Sequence, residues 1–168
     1  MGYYGFARYL PNVLPCNCGG KLRGFFCRMI FEKCGKSVNV ERGVYFGTGR
    51  NIEIDDGSGI GRNTYIYGVS SGGRLVIGKN VMISPDTIIL TLAHEFVDHK
   101  NQYDRYRCTT IRIGDWSWIG IRSILLPDVT IGECSIIGAG AVVSRDVPPY
   151  SVAVGVPARV VKTRAKRG

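Results

Sequence analysis

Histidine is scarce in this chain: its 168 residues hold two, His94 and His99, both within the stretch ILTLAHEFVDHK at 89–100. A three-histidine metal site of the kind that neighbouring coils or strands build is therefore out of reach. Acidic residues are also few, 13 against 22 basic ones, which leaves a net charge of +9. Such a surplus suits an anionic partner: nucleic acid, anionic lipid or a phosphorylated cofactor. No basic motif with interleaved aromatics supports the first of these, so no nucleic-acid role is expected. No apolar run approaches the ~20 residues of a membrane-spanning helix. The opening MGYYGFARYL lacks a basic stretch followed by an apolar core, so no signal peptide is expected. Phe6 stands where N-myristoylation wants Ser or Thr. Cysteine is present, but the spacing of Cys16, Cys18, Cys27 and Cys34 fits no common zinc arrangement. Reduced thiols, a cytoplasmic location and no metal are the expectation.

What the chain does contain is a period of six. Ile113, Ile119, Leu125, Ile131, Ile137 and Val143 are all aliphatic, and four of the six residues that follow them are glycine. The same phase holds at Ile77, Ile83 and Ile89, and a shifted phase at Ile54, Ile60 and Ile66. Between the two phases, GVSSGGR supplies a turn that absorbs the slip. A period of six fits neither a helix nor a lone strand. It fits a triangular coil of about 18 residues, with one apolar residue per side turned inward. Stacked coils pair their backbones and bury a continuous aliphatic column. Glycine should serve the tight corners.

Before the coils, Leu22, Phe25, Phe26, Met29 and Ile30 recur at helical spacing, and Gly35 is placed to end that helix. A helix here should cap the open end of the solenoid; its basic residues also make contact with a membrane surface an alternative. The expected division is a helical segment over 1–35, a β-helix over 36–163 and a basic tail over 164–168.

The coil that begins at Ile77 ends at His94, and the coil phase resumes at Ile113. The intervening stretch is too polar for a rung and is expected to project as a loop over about 95–112. His94 thus sits where regular coil gives way to an excursion, a place where function is often carried. Glu95, Asp98 and Asp86 are all candidates to orient its ring, and the sequence does not choose among them.

Taken together, VMISPDTIILTLAHEF, IRIGDWSWIGIRSILLPDVTIG and SIIGAGAVVSRDVPPYSVAVGVPARVVK resemble the hexapeptide-repeat acyltransferases, and most closely their sugar O-acetyltransferase branch. The resemblance implies an all-β chain folded as a left-handed parallel β-helix, although the general crossover rule favours the opposite hand. It implies acetyl transfer from acetyl-CoA to a hydroxyl of a sugar or glycan precursor, as in polysaccharide biosynthesis. TLAH matches the family's catalytic pattern, with His94 as general base, whereas His99 matches no catalytic position. Gly120, Gly138 and Ala139 match positions that the pantetheine arm crosses. Ser144 and Arg145 match a cofactor-contacting pair, and Arg159 and Lys162 match cationic positions near the nucleotide. Trp118 matches a tryptophan beside the site. The family's acceptor-binding Asn has no counterpart; Tyr67 stands closest to its position, so the acceptor contacts should differ. The resemblance also implies a homotrimer with its site between subunits, which would cover outward residues such as Trp116 or Trp118, Ile121, Ile124, Ile136 and Val142. Serine O-acetylation and a non-catalytic β-helix scaffold are the alternatives. The first usually has a longer helical N-terminal region than the one seen here.

Overall fold

The computed structural model describes residues 16–95 and 105–164. The hexads wind into a left-handed parallel β-helix with three faces. The first face stacks Lys33–Cys34, Ile52–Ile54, Arg74–Ile77, Thr110–Ile113 and Thr130–Ile131. The second stacks Asn39–Val40, Gly59–Ile60, Met82–Ile83, Trp118–Ile119, Ile136–Ile137 and Ser151–Val154. The third stacks Tyr65–Tyr67, Ile88–Leu90, Ile124–Leu125 and Val142–Val143. In-register pairing lines the inward residues into columns: Ile54, Ile77, Ile113 and Ile131; Ile60, Ile83, Ile119 and Ile137; Ile66, Ile89, Leu125 and Val143. None of the twelve is more than 2% exposed. Each contributes about 1.5–3 kcal/mol of burial, so the period itself is the core.

The corners work differently from the expectation. The glycine after each inward aliphatic residue is not the one that turns. The left-handed residue comes three positions after the aliphatic, as at Asn80, Trp116, Arg122, Asp128, Cys134 and Gly140, all with φ between 53° and 68°. Glycine at 78, 114 and 120 is needed instead because the next coil presses on it: a Cβ on Gly120 would lie 2.6 Å from Ala139 N and Ile137 O. Buried hydroxyls tie the corners by bonding carbonyls, with Ser117 donating to Gly132 at 2.9 Å and Ser123 to Gly120 at 2.8 Å. Among the described residues no buried side-chain nitrogen or oxygen lacks a partner. The slip between phases is a short 3-10 turn, Val69–Ser71, flanked by Gly68 at φ 97° and Gly72 at φ 107°.

Two further expectations are corrected. The excursion leaves the coil after Thr91 and rejoins it at Thr110, three residues earlier at each end than the expected 95–112. Thr110–Ile113 already pairs with Arg74–Ile77, because its polar residues point outward while Ile111 and Ile113 fill the core. Tyr106–Cys108 runs back antiparallel along Leu92–His94. The helix spans Cys16–Cys27, ahead of Gly35, and it caps the solenoid with its glycine side rather than its apolar stripe. Gly24 lies so close to the Val38 backbone that it has no room for a Cβ, and a Cβ on Gly20 would displace the Asn39 side chain. Arg23, 5% exposed, donates to the Val40 carbonyl at 2.6 Å, where no earlier coil could do so. At the other end the chain stays in the coil past Pro149. Ser151–Val154 pairs parallel with Ile136–Ile137, and Arg159–Thr163 then folds back antiparallel and ends the stack.

Candidate active site

His94 closes the strand Leu92–His94 and faces Tyr106 across the antiparallel pair, with its side chain exposed. This ribbon leaves the coil at the corner between the third and first faces. Thr91 anchors its root: the buried hydroxyl donates to the Tyr67 carbonyl at 2.8 Å, and the Thr91 carbonyl accepts from Thr109 N at 2.9 Å. In TLAH, therefore, threonine fixes the backbone and histidine is presented to solvent. The returning strand is clasped to the next coil by Arg107 and Asp128 at 3.2 Å, and Cys108 Sγ donates to the Ser71 carbonyl at 2.9 Å. Of the candidate ring-orienting carboxylates, Asp86 accepts from Asn63 Nδ2 at 3.1 Å and faces Arg122 Nε at 3.9 Å. Glu95 is exposed beside His94, its backbone N–H bonded to Arg105 O at 3.1 Å. Asp98 and His99 lie outside the described residues.

The remaining candidate residues fall into two groups. Tyr67 belongs to the His94 corner, since its strand lies beside Ile88–Leu90 in register Tyr67–Leu90. Ser144 and Arg145, both exposed, follow Val142–Val143 and so occupy the same corner two coils on, roughly 10 Å along the axis by strand spacing. Gly120, Gly138 and Ala139 occupy a different corner, between the second and third faces. Trp118 lies on the adjoining second face, 48% exposed, its indole N–H held by Ser84 Oγ at 2.9 Å. Pairing carries two rows from there to the end of the stack. Trp118, Ile136, Val152 and Lys162 form one. Gly138 packs under Val154, which faces Arg159, in the other. The two cations thus close the same side of the solenoid that carries Trp118 and the glycines.

Sequence reasoning missed an aromatic stack. Tyr45 and Tyr65 lie on adjacent coils with centroids 4.8 Å apart and planes 12° from parallel, and Tyr65 and Tyr67 are 6.1 Å apart at the same angle. Tyr65 and Tyr67 are both about two-fifths exposed, on the outer side of the third face. Their alternation about buried Ile66 was the available signal. Among the described residues no group of three His, Cys, Asp or Glu side chains gathers to hold a metal.

Residues 110–145 match the family model described as bacterial transferase hexapeptide (six repeats). The chain is 36% identical over 136 residues to galactoside O-acetyltransferase of Escherichia coli K12, an alignment that takes in 79% of this chain and 64% of that one. The chain thus spans less than two thirds of that relative's length. Its fold matches a maltose O-acetyltransferase from Clostridium difficile 630 with a TM-score of 0.84 and 32% identity, covering 97% of this chain and 84% of that one. A hexapeptide-repeat acetyltransferase from Vibrio cholerae, solved in complex with acetyl coenzyme A, matches with a TM-score of 0.84 and 28% identity over 96% and 85% of the two chains.

Proposed function

The chain belongs to the hexapeptide-repeat acetyltransferases, in the branch that holds the galactoside and maltose enzymes, and from that premise we propose that it transfers acetyl from acetyl-CoA to a sugar hydroxyl with His94 as general base. The observation that carries this reading is the His94 corner. The only described imidazole is exposed on a clasped ribbon, on the same corner as Tyr67, Ser144 and Arg145.

A sugar hydroxyl is too weak an acid to ionise near neutrality. The neutral ring takes its proton as the oxygen attacks the thioester carbonyl. The resulting oxyanion is met by backbone N–H donors. The C–S bond breaks, and the imidazolium returns the proton to the departing thiolate. No covalent enzyme intermediate forms, so the cysteines take no part. Tyr65 and Tyr67 offer the acceptor aromatic edges and hydroxyls. Trp118, Gly120, Gly138 and Ala139 line the path of the pantetheine arm, and Arg159 and Lys162 meet the phosphates.

Because the two groups of residues occupy different corners, a homotrimer accounts for both. The His94 corner of one subunit would face the Trp118 side of the next, with acetyl-CoA between them. The exposed Met82, Trp118 and Ile121 on that side would then be covered. The enzyme would work in the cytoplasm on precursors of a polysaccharide. A thiol-release assay with acetyl-CoA against sugars, nucleotide sugars and serine tests the reading. Acceleration by a sugar or nucleotide sugar supports it; acceleration by serine alone overturns it.

A further inference from the structure

Among the described residues, nothing partners the apolar side of the capping helix. Cys16–Cys27 buries Gly19, Gly20, Arg23 and Gly24, while Leu22 is 42% exposed, Phe25 56% and, in the turn that follows, Met29 75%. Phe26 packs edge-on against Phe25 with centroids 5.9 Å apart. Residues of these types are ordinarily among the most buried. Cations flank the patch. Lys21 is exposed, and the exposed Arg28 holds its guanidinium 6.0 Å from the centre of the Phe25 ring. The nearby carboxylates are already engaged, Glu32 by Arg74 at 3.0 Å and Asp55 by Lys33 at 2.6 Å. The sequence bias extends further. No Asp or Glu precedes Glu32, whereas Arg8, Lys21, Arg23 and Arg28 do.

From this we infer that the outer face of the capping helix docks on an anionic lipid bilayer. Phe25 and Met29 would enter the headgroup–acyl boundary, and Lys21 and Arg28 would meet lipid phosphates. Aromatic and apolar side chains bordered by cations, with no acid among them, are the chemistry of an interfacial helix. A second copy of the chain fits the patch poorly, because it would bring cations against cations. The patch is small, so the attachment is reversible. The inference does not depend on the proposed acetyl transfer.

Vesicle sedimentation of the full chain tests it, using phosphatidylcholine alone and phosphatidylcholine mixed with phosphatidylglycerol. The expected result is partitioning onto anionic vesicles about ten-fold or more above that onto neutral ones, weakening as salt is raised. Phe25→Ser with Met29→Ser, and separately Lys21→Glu with Arg28→Glu, should each lower that partitioning about ten-fold or more, with melting temperature and particle mass unchanged. Equal binding to both vesicles, or binding to neither, overturns the inference. So does a drop in melting temperature or particle mass in the Phe25→Ser, Met29→Ser variant without loss of partitioning, since the face would then be covered by the protein itself.

Discussion

Three glycines of this solenoid should respond to substitution in three different ways, although composition alone treats them as alike. A Cβ on Gly120 would meet Ala139 N and Ile137 O at 2.6 Å and Gly138 C at 2.7 Å, all backbone atoms of the next coil. Ordinary contact begins at 3.4 Å, so the coils must part by roughly 0.8 Å. The bond from Gly120 N to Ile137 O, now 2.8 Å, would open with them. Overpacking of this kind costs about 1–3 kcal/mol, and a weakened inter-coil hydrogen bond adds about 1 kcal/mol. For Gly120→Ala the expected loss is therefore about 2–4 kcal/mol, a fall in melting temperature of about 4–16 °C for a chain of this size. Gly59 lies on the outer side of its strand, where the nearest atom to a Cβ is Asn39 O at 3.7 Å, and its φ is not positive. Gly59→Ala should raise stability by about 0.4–1 kcal/mol through the unfolded chain. Gly140 has open space but a φ of +68°, so Ala should cost about 1 kcal/mol and Asn much less. Asn63 and Asn80 already hold the equivalent corners. Thermal denaturation of all four variants without ligand, at one protein concentration and scan rate, is the assay. Equal shifts for Gly120→Ala and Gly59→Ala would refute the close-approach argument.

Burial pushes the Cys27 thiol up to about 12 from 9.0, with Cys34 adding to the rise and Arg23 opposing it. The unfolded chain therefore loses this proton first. The stabilisation is complete below pH 9 and is lost as pH rises towards 12, at up to about 1.4 kcal/mol per pH unit. Cys27→Ala should flatten the alkaline fall in a pH series of denaturant melts by that amount. Arg159→Glu and Lys162→Glu should each raise the KM for acetyl-CoA, more at low salt than at high. If either residue meets the 3′-phosphate, its variant should also discriminate less between CoA and dephospho-CoA. For the shared site, a chain carrying His94→Ala should regain activity when mixed with one carrying Gly138→Val. Mixing it with a Ser144→Ala, Arg145→Ala chain should restore none, because His94, Ser144 and Arg145 lie on one corner of the same subunit. The reverse pattern in a mixed-oligomer assay would rule out the proposed pairing of corners.

The coil was legible because its inward residues are set by a strict spacing. A shift of one residue would turn Ile113 or Ile137 outward, so the pattern carries the register. The turn at Gly68 and Gly72 was legible for the same reason, as a break in phase between tracts on either side. Orientation of the capping helix was not. Helical spacing reveals that Leu22, Phe25 and Met29 share a stripe, but not that the first coil admits only the glycine side. Thr110–Arg112 was read as loop because two of its three residues are polar, yet on this face those two point outward. At the site, His94 was singled out as a candidate by the loss of coil phase around it and by the resemblance of TLAH to the family's pattern, although it stands on the ribbon and not at the end of the coil. The separation of Ser144 and Arg145 from Gly120 and Gly138 was not, because it depends on which corner each hexad reaches. The tyrosine stack joins residues from two coils and became visible only once Tyr45 and Tyr65 were in register.

The central claim is that His94 removes the acceptor proton. Its most direct test is the turnover of His94→Ala in acetyl-CoA thiol release with the best acceptor, alongside calorimetric titration of CoA into the same folded protein. Turnover should fall ~10²–10⁴-fold, the usual worth of a general base, while CoA affinity stays near that of the parent. A folded His94→Ala protein that binds CoA and turns over within about three-fold of the parent would contradict the claim, since losing a general base costs far more than that.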